Sequence, residues 1–163
     1  MRPTNVAFGI GTGIAGTVYG TVTVMATIAA FGRVKQPWEL AVLVVGTAVV
    51  FWIAHIYAHG LSESITESEP IRPRTLIPIA RRESGILGAA VLPLIALTLG
   101  ALHVVRPERA AWYALFAGLA TLVVEGVRYA RLEALGRKAT VAVVAVNVGL
   151  GLLVVVMKIE LAH

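Results

Sequence analysis

The chain has 163 residues, of which 58% are hydrophobic and only 14% charged. A soluble domain of this length, in which about 25% charged residues are usual, cannot hide so much apolar surface. Cysteine is absent and all nine acidic residues are glutamate, which excludes disulfides, thiol nucleophiles, thiolate metal sites and Mg²⁺ centres built on several aspartates. The net charge of +5 comes from basic residues scattered over short loops. With no basic stripe and no interleaved aromatics, nucleic acid is excluded as a partner, and the bias is read as membrane topology and anionic lipid. The expected class is an all-α membrane protein of the prokaryotic cytoplasmic membrane. It is a five-transmembrane-helix bundle in a single domain over 1–163, with its N-terminus in the cytoplasm and no extramembrane domain.

Residues 3–32 contain no charge. A run of about 20 apolar residues spans the hydrocarbon core, and this one is longer than the 7–15-residue apolar region of a cleavable signal peptide. It is therefore read as the first span, about 6–31. Gly9 and Gly13, and Gly16 and Gly20, stand four apart. Such small-xxx-small pairs let a second helix approach closely, and this segment is the expected contact in a homo-oligomer. Its threonines, among them Thr12, Thr17, Thr21, Thr23 and Thr27, can bond across that contact or back to their own carbonyls.

After a short loop with Trp38 at the interface, the second span covers about 40–62. A polar stretch with Glu63, Glu67 and Glu69 follows. Residues 71–82 carry Arg72, Arg74, Arg81 and Arg82 among Ile and Leu, with Pro70, Pro73 and Pro78. The prolines argue against a clean helix there, and the mixture suits a segment at headgroup level whose arginines meet anionic lipid. The remaining spans are about 84–105, with Pro93 inside and His103 near its end, 110–127 with Glu125, and 139–157 with Asn147. Five spans place Arg2, Arg72, Arg74, Arg81, Arg82, Arg128, Arg131, Arg137 and Lys138 on one side, and Arg33, Lys35, Arg106, Arg109 and Lys158 on the other. Basic residues favour the cytoplasmic loops, so the N-terminal side is inside.

The densest titratable stretch closes the second span. His55, His59, Glu63 and Glu67 recur every four residues, which keeps them on one slowly drifting side of a helix. At 1.5 Å per residue, His55 and Glu125 both lie about 22 Å in from the outer edge. Thr12 reaches a similar level and Asn147 lies nearer the middle, so these four are candidates to face one another. Ionisable groups inside spans are costly and usually mark a pathway or a site. The plain alternative for Glu125 is an i,i+3 partnership with Arg128.

For the two histidines three readings compete. The i,i+4 spacing suits a single Zn-like divalent metal held by His55, His59 and either Glu63 or Glu125. Metalloproteases with that spacing have glutamate directly after the first histidine, where this chain has Ile56. Membrane di-iron enzymes need many more than the four histidines present. His103 lies at the wrong depth to share a haem with His55. A second reading is a proton or ion pathway, imidazole being the side chain that ordinarily titrates nearest physiological pH. In the third, the histidines merely mark the lipid–water interface with Trp52 and Tyr57. Gly11, Gly13 and Gly16 match a dinucleotide fingerprint, but without a βαβ unit around them they carry no such meaning.

The leading function is permeation: a small ion or proton channel, or a carrier subunit, lined at its inner end by His55, His59, Glu63, Glu125, Arg128, Thr12 and Asn147. The alternative is an intramembrane enzyme acting on a lipid or isoprenoid, with His55 or Glu125 as general acid/base and the Arg72–Arg82 segment holding an anionic head group. A non-catalytic accessory subunit is the third reading.

Overall fold

The computed structural model describes residues 7–32, 36–67 and 73–160. Arg2, Arg33, Lys35, Glu69, Arg72 and the side chain of Thr12, all used in the sequence reading, lie outside what is described. The charge-free first segment forms α1, Ala7–Phe31. Its threonines bond to their own helix: Thr17, Thr21, Thr23 and Thr27 each donate to the carbonyl four residues back, at 2.7–3.1 Å. In an apolar interior this satisfies each hydroxyl without a partner helix.

Helix α2 covers Pro37–Glu67, with proline at the first position, where its missing N–H costs nothing. It runs well past the expected end at 62, because nothing between Ser62 and Glu67 breaks a helix. Its 31 residues make a rod of about 46 Å, longer than the hydrocarbon is thick.

The segment expected to be non-helical forms α3, Pro73–Arg82. Pro73 opens the helix, and Pro78 removes a single early backbone bond. Packing against α2 compensates for that loss: Ile79 is buried, and Leu76 lies over Gly60, where a Cβ would come within 2.7 Å of it. The expected third span is divided into α4, Gly85–Gly88, and α5, Val91–Ala101. The stretch Arg74–Gly88 meets α5 at a 45° bend. Pro93 places that bend, since its ring crowds the carbonyl of residue i−4, Ala89.

Helices α6, Pro107–Leu132, and α7, Arg137–Glu160, complete the bundle. Two ends close in the same way. His103 and Ala134 have φ of 58° and 50°. Val104 and Leu135 each donate to the carbonyl five residues back (Leu99, Ala130), and His103 and Ala134 to the one three back (Gly100, Arg131), at 2.9–3.2 Å. This is the Schellman pattern, whose left-handed residue is usually glycine. An alanine there carries a steric cost of roughly 1–2 kcal/mol, part of which glycine returns as unfolded-chain entropy. Ala134→Gly is therefore expected to stabilise the protein by about 0.5–1 kcal/mol, raising its detergent unfolding midpoint by about 1–4 °C. An unchanged or lower midpoint would contradict this account of the turn.

Helix α1 lies at the centre, packed against α2, α4, α6 and α7. The close approach that its glycines permit is made within the chain, by α4. A Cβ on Gly20 would lie 2.9 Å from the Ile86 backbone, and one on Gly85 2.5 Å from the Gly13 carbonyl oxygen. Beyond that contact the core is aliphatic, with Val24, Met25, Ile28, Leu40, Val44, Leu97, Leu115 and Leu122 buried together. At the far end buried Lys158 of α7 sits 3.5 Å from the Ile28 carbonyl in the last turn of α1, and 5.6 Å from the Trp112 ring centroid. A cation there complements the negative end of the α1 dipole. Among the described residues the architecture is all-helical. Four helices are long and apolar enough to cross a membrane, or five segments if the bent pair counts as one span.

Candidate functional site

The break between α3 and α4 builds the most unusual site in the molecule. Glu83 still donates its N–H to Ile79, but Ser84 turns tighter and donates to Arg81, at 2.9 and 3.3 Å. Ser84 is the residue that would bond the Ala80 carbonyl in a continuous helix. Trp52 of α2 takes its place, its indole Nε1–H donating to Ala80 O at 3.0 Å. One interhelical hydrogen bond thus satisfies a carbonyl released by the break and fixes α3 against α2. Trp52→Phe removes it while keeping most of the ring. The expected cost is about 1–3 kcal/mol, the penalty of an unsatisfied polar group. Thermal unfolding in detergent measures it, and a midpoint equal to wild type would show that the bond does not hold α3.

So anchored, the break turns Glu83 inward. Its side chain is 6% exposed, in the turn between the two helices. On the α1 side the carboxylate faces Gly16, where a Cβ would lie 3.6 Å from Oε2. Oε1 lies 3.8 Å from His59 Nδ1 and 3.6 Å from Arg82 Nε. Arg82 in turn reaches Glu63 at 3.9 Å. Glu63, Arg82, Glu83 and His59 thus form a chain of alternating charge and imidazole between α2 and the α3–α4 break. All three separations exceed a direct hydrogen bond, and at such spacing a bridging water is the usual link. His59, with 42% of its side chain exposed, and Glu63, with 44%, carry this chain to the surface.

The carbonyls of α2 select the histidine tautomers. His55 Nδ1 is 2.9 Å from Phe51 O, and His59 Nδ1 is 3.0 Å from His55 O. A carbonyl only accepts, so each Nδ1 carries hydrogen and each Nε2 is left to take a proton or a ligand. His55 also packs on Tyr19 of α1, their ring centroids 4.8 Å apart, and lies 6.3 Å from the His59 ring. Among the described residues no group of three or more His or Glu side chains is arranged to hold a metal ion.

The remaining candidates lie elsewhere. Glu125 is buried in α6 and both its oxygens are 3.4 Å from Arg128 Nη1. Asn147 donates across the α6–α7 contact to Leu122 O at 3.2 Å, beside Gly126. No hydrogen bond or ion pair joins either to His55, His59 or Glu63 among the described residues. Of the arginines read as a headgroup site, Arg74 and Arg81 are exposed while Arg82 is drawn into the Glu63–Glu83 chain.

Glu83 escaped the sequence reading because it stands one residue before the expected third span, where a glutamate beside two arginines looks like an interfacial charge. Burial follows from the Trp52-held turn at the α3–α4 break and from Gly16 of α1, and both partners are distant in sequence. The available signal was Gly16 and Gly20 together, which promise a backbone pressed against α1 at that depth. Comparison with protein-family models, curated proteins and solved structures finds no match to this chain.

Proposed function

We propose that this protein is a proton-coupled carrier, or a carrier subunit, in which Glu83 takes up and releases the proton and His59 passes it to the end of α2. The observation that supports this reading most is the burial of Glu83 at the α3–α4 break, within ion-pair distance of a histidine whose other ring nitrogen is open. Carboxylates and histidines inside membrane segments commonly form proton relays, and broken helices are where carriers place their sites. The aliphatic core beyond Glu83 favours a carrier over an open pore, since it offers no polar route onward. The test is proton flux in proteoliposomes with a trapped pH dye, driven by an imposed potential. Wild-type protein is expected to conduct, with Glu83→Gln and His59→Gln reduced to background and Glu125→Gln retaining flux. Absence of flux under every gradient and co-ion tried would remove the proposal.

A second reading has one observation in its favour. A cleft of about 510 Å³ between α1, α6 and α7 is lined by Ile14, Val18, Tyr19, Tyr129, Asn147 and Leu150, among others. Its volume is in the range of ligand sites, and Tyr19 joins it to His55. An enzyme would hold a lipid or isoprenoid chain there, with His55 as general acid/base. Recovery of a chemically altered lipid on incubation, lost in His55→Gln, would select this reading over the carrier.

A further inference from the structure

The outward face of α6 carries a second arrangement, independent of the Glu83 site. Val123, Val124, Val127 and Leu132 form an apolar shelf of about 580 Å³ whose polar members are Arg128 and Arg131. Polarity follows the helix axis. The valines lie toward the middle of the span, and the guanidinium groups lie in the last turns before α6 ends at Leu132. A phospholipid in one leaflet has the same order, with acyl chain inward and phosphate at the rim.

Arg128 is also oriented. Its Nη1 is held by the Glu125 carboxylate, whose side chain is 10% exposed, while the arginine itself is 52% exposed. One nitrogen faces the buried acid, leaving the other guanidinium N–H groups without a protein acceptor among the described residues. Arg131 is exposed, has no carboxylate within ion-pair distance among the described residues, and stands one turn further along the same helix. Two guanidinium groups so placed match the oxygens of a phosphate. A zwitterionic choline lipid would bring its cation to the same place, so the charge selects an anionic head group.

We propose that this shelf binds a single anionic phospholipid, its acyl chain along Val123, Val124 and Val127 and its phosphate between Arg128 and Arg131. Glu125 serves as the positioning residue for Arg128. Its burial within a span is thereby explained without a place in a conduction pathway.

The test is native mass spectrometry and thermal unfolding of the purified protein in detergent, titrated with phosphatidylglycerol or phosphatidylcholine. Wild-type protein is expected to retain one phosphatidylglycerol and to gain thermal stability from it, with no such gain from phosphatidylcholine. The combined Arg128→Gln and Arg131→Gln variant is expected to lose both effects, and Glu125→Gln to weaken them while the arginines remain. Arg74→Gln with Arg81→Gln on α3 is expected to keep them. Val124→Trp, which fills the shelf and leaves every charge in place, is expected to reduce retention. Equal retention of the two lipids would overturn the proposal, as would loss on changing the α3 arginines instead of those of α6. Undiminished retention in Val124→Trp would reduce the site to charge alone and overturn the shelf as its acyl half.

Discussion

Glu83→Gln is expected to fold, to unfold at nearly the wild-type temperature, and to carry no protons. The amide keeps the carboxylate's shape against Gly16 and can still contact Arg82, which is 30% exposed and has water for its charge. What it cannot do is bind and release a proton. Glu83→Ala tests the packing contribution of the same side chain. It empties the space beside Gly16, removes the acid from His59 and leaves the Arg82 guanidinium, whose Nε is already buried without a hydrogen-bond partner, with only Glu63 at 3.9 Å as counter-charge among the described residues. Breaking one side of a buried ion pair costs on the order of 3–5 kcal/mol, and the exposure of Arg82 and His59 places the expected loss at or below the low end. The two variants therefore separate chemistry from structure: flux absent in both, unfolding temperature lowered only in alanine. Flux at the wild-type rate in Glu83→Gln would show that the buried acid is structural, and the carrier reading would fall with it.

The second large effect is expected where α1 meets α4. A Cβ on Gly20 would stand 2.9 Å from both Cα and O of Ile86 and 3.0 Å from the Ala89 Cβ. These are mostly backbone atoms, which cannot turn aside as a side chain can. Gly85→Ala meets the Gly13 carbonyl oxygen at 2.5 Å and the Thr17 hydroxyl at 2.7 Å. Either alanine is expected to cost about 1–3 kcal/mol or more, as overpacking does, and Gly20→Ile is expected to give no folded protein. Gly46 and Gly149 are the controls, because a Cβ there meets nothing within 4 Å. Alanine at either site is expected to be neutral or to stabilise by up to about 1 kcal/mol through helix propensity. Thermal unfolding of the four alanine variants side by side measures this, and equal effects at buried and open positions would mean that α4 does not press on α1. The Gly20 series also bears on chemistry, since displacing α4 moves Glu83 away from Gly16 and His59.

Much of this was legible in the amino-acid sequence. The charge-free first segment and the hydropathy of the later segments determined an all-helical chain whose long helices are apolar enough to cross a membrane, because backbone groups in lipid must bond within their own helix. The His55–His59–Glu63 row was legible for the same reason, since helical spacing places those residues on one side without help from the rest of the chain. Only the tertiary structure decided the remainder. Residues 71–82 contain Pro73 and Pro78 and read as irregular, yet Pro73–Arg82 form α3, because burial of Ile79 and the Trp52 bond outweigh one missing backbone bond. The depth match between His55 and Glu125 counts residues along two separate helices, and such a count holds no information about which way each side chain turns. Glu125 turned to Arg128, one helical turn away, while His59 found its acid in Glu83, a residue that local sequence marks as interfacial. That acid is buried by the tight turn at the α3–α4 break, which Trp52 holds, and by a glycine on a helix more than sixty residues earlier. Periodicity within a helix is a local property of the chain; the meeting of α1, α2 and the α3–α4 break depends on packing among distant segments, and the buried site exists only there.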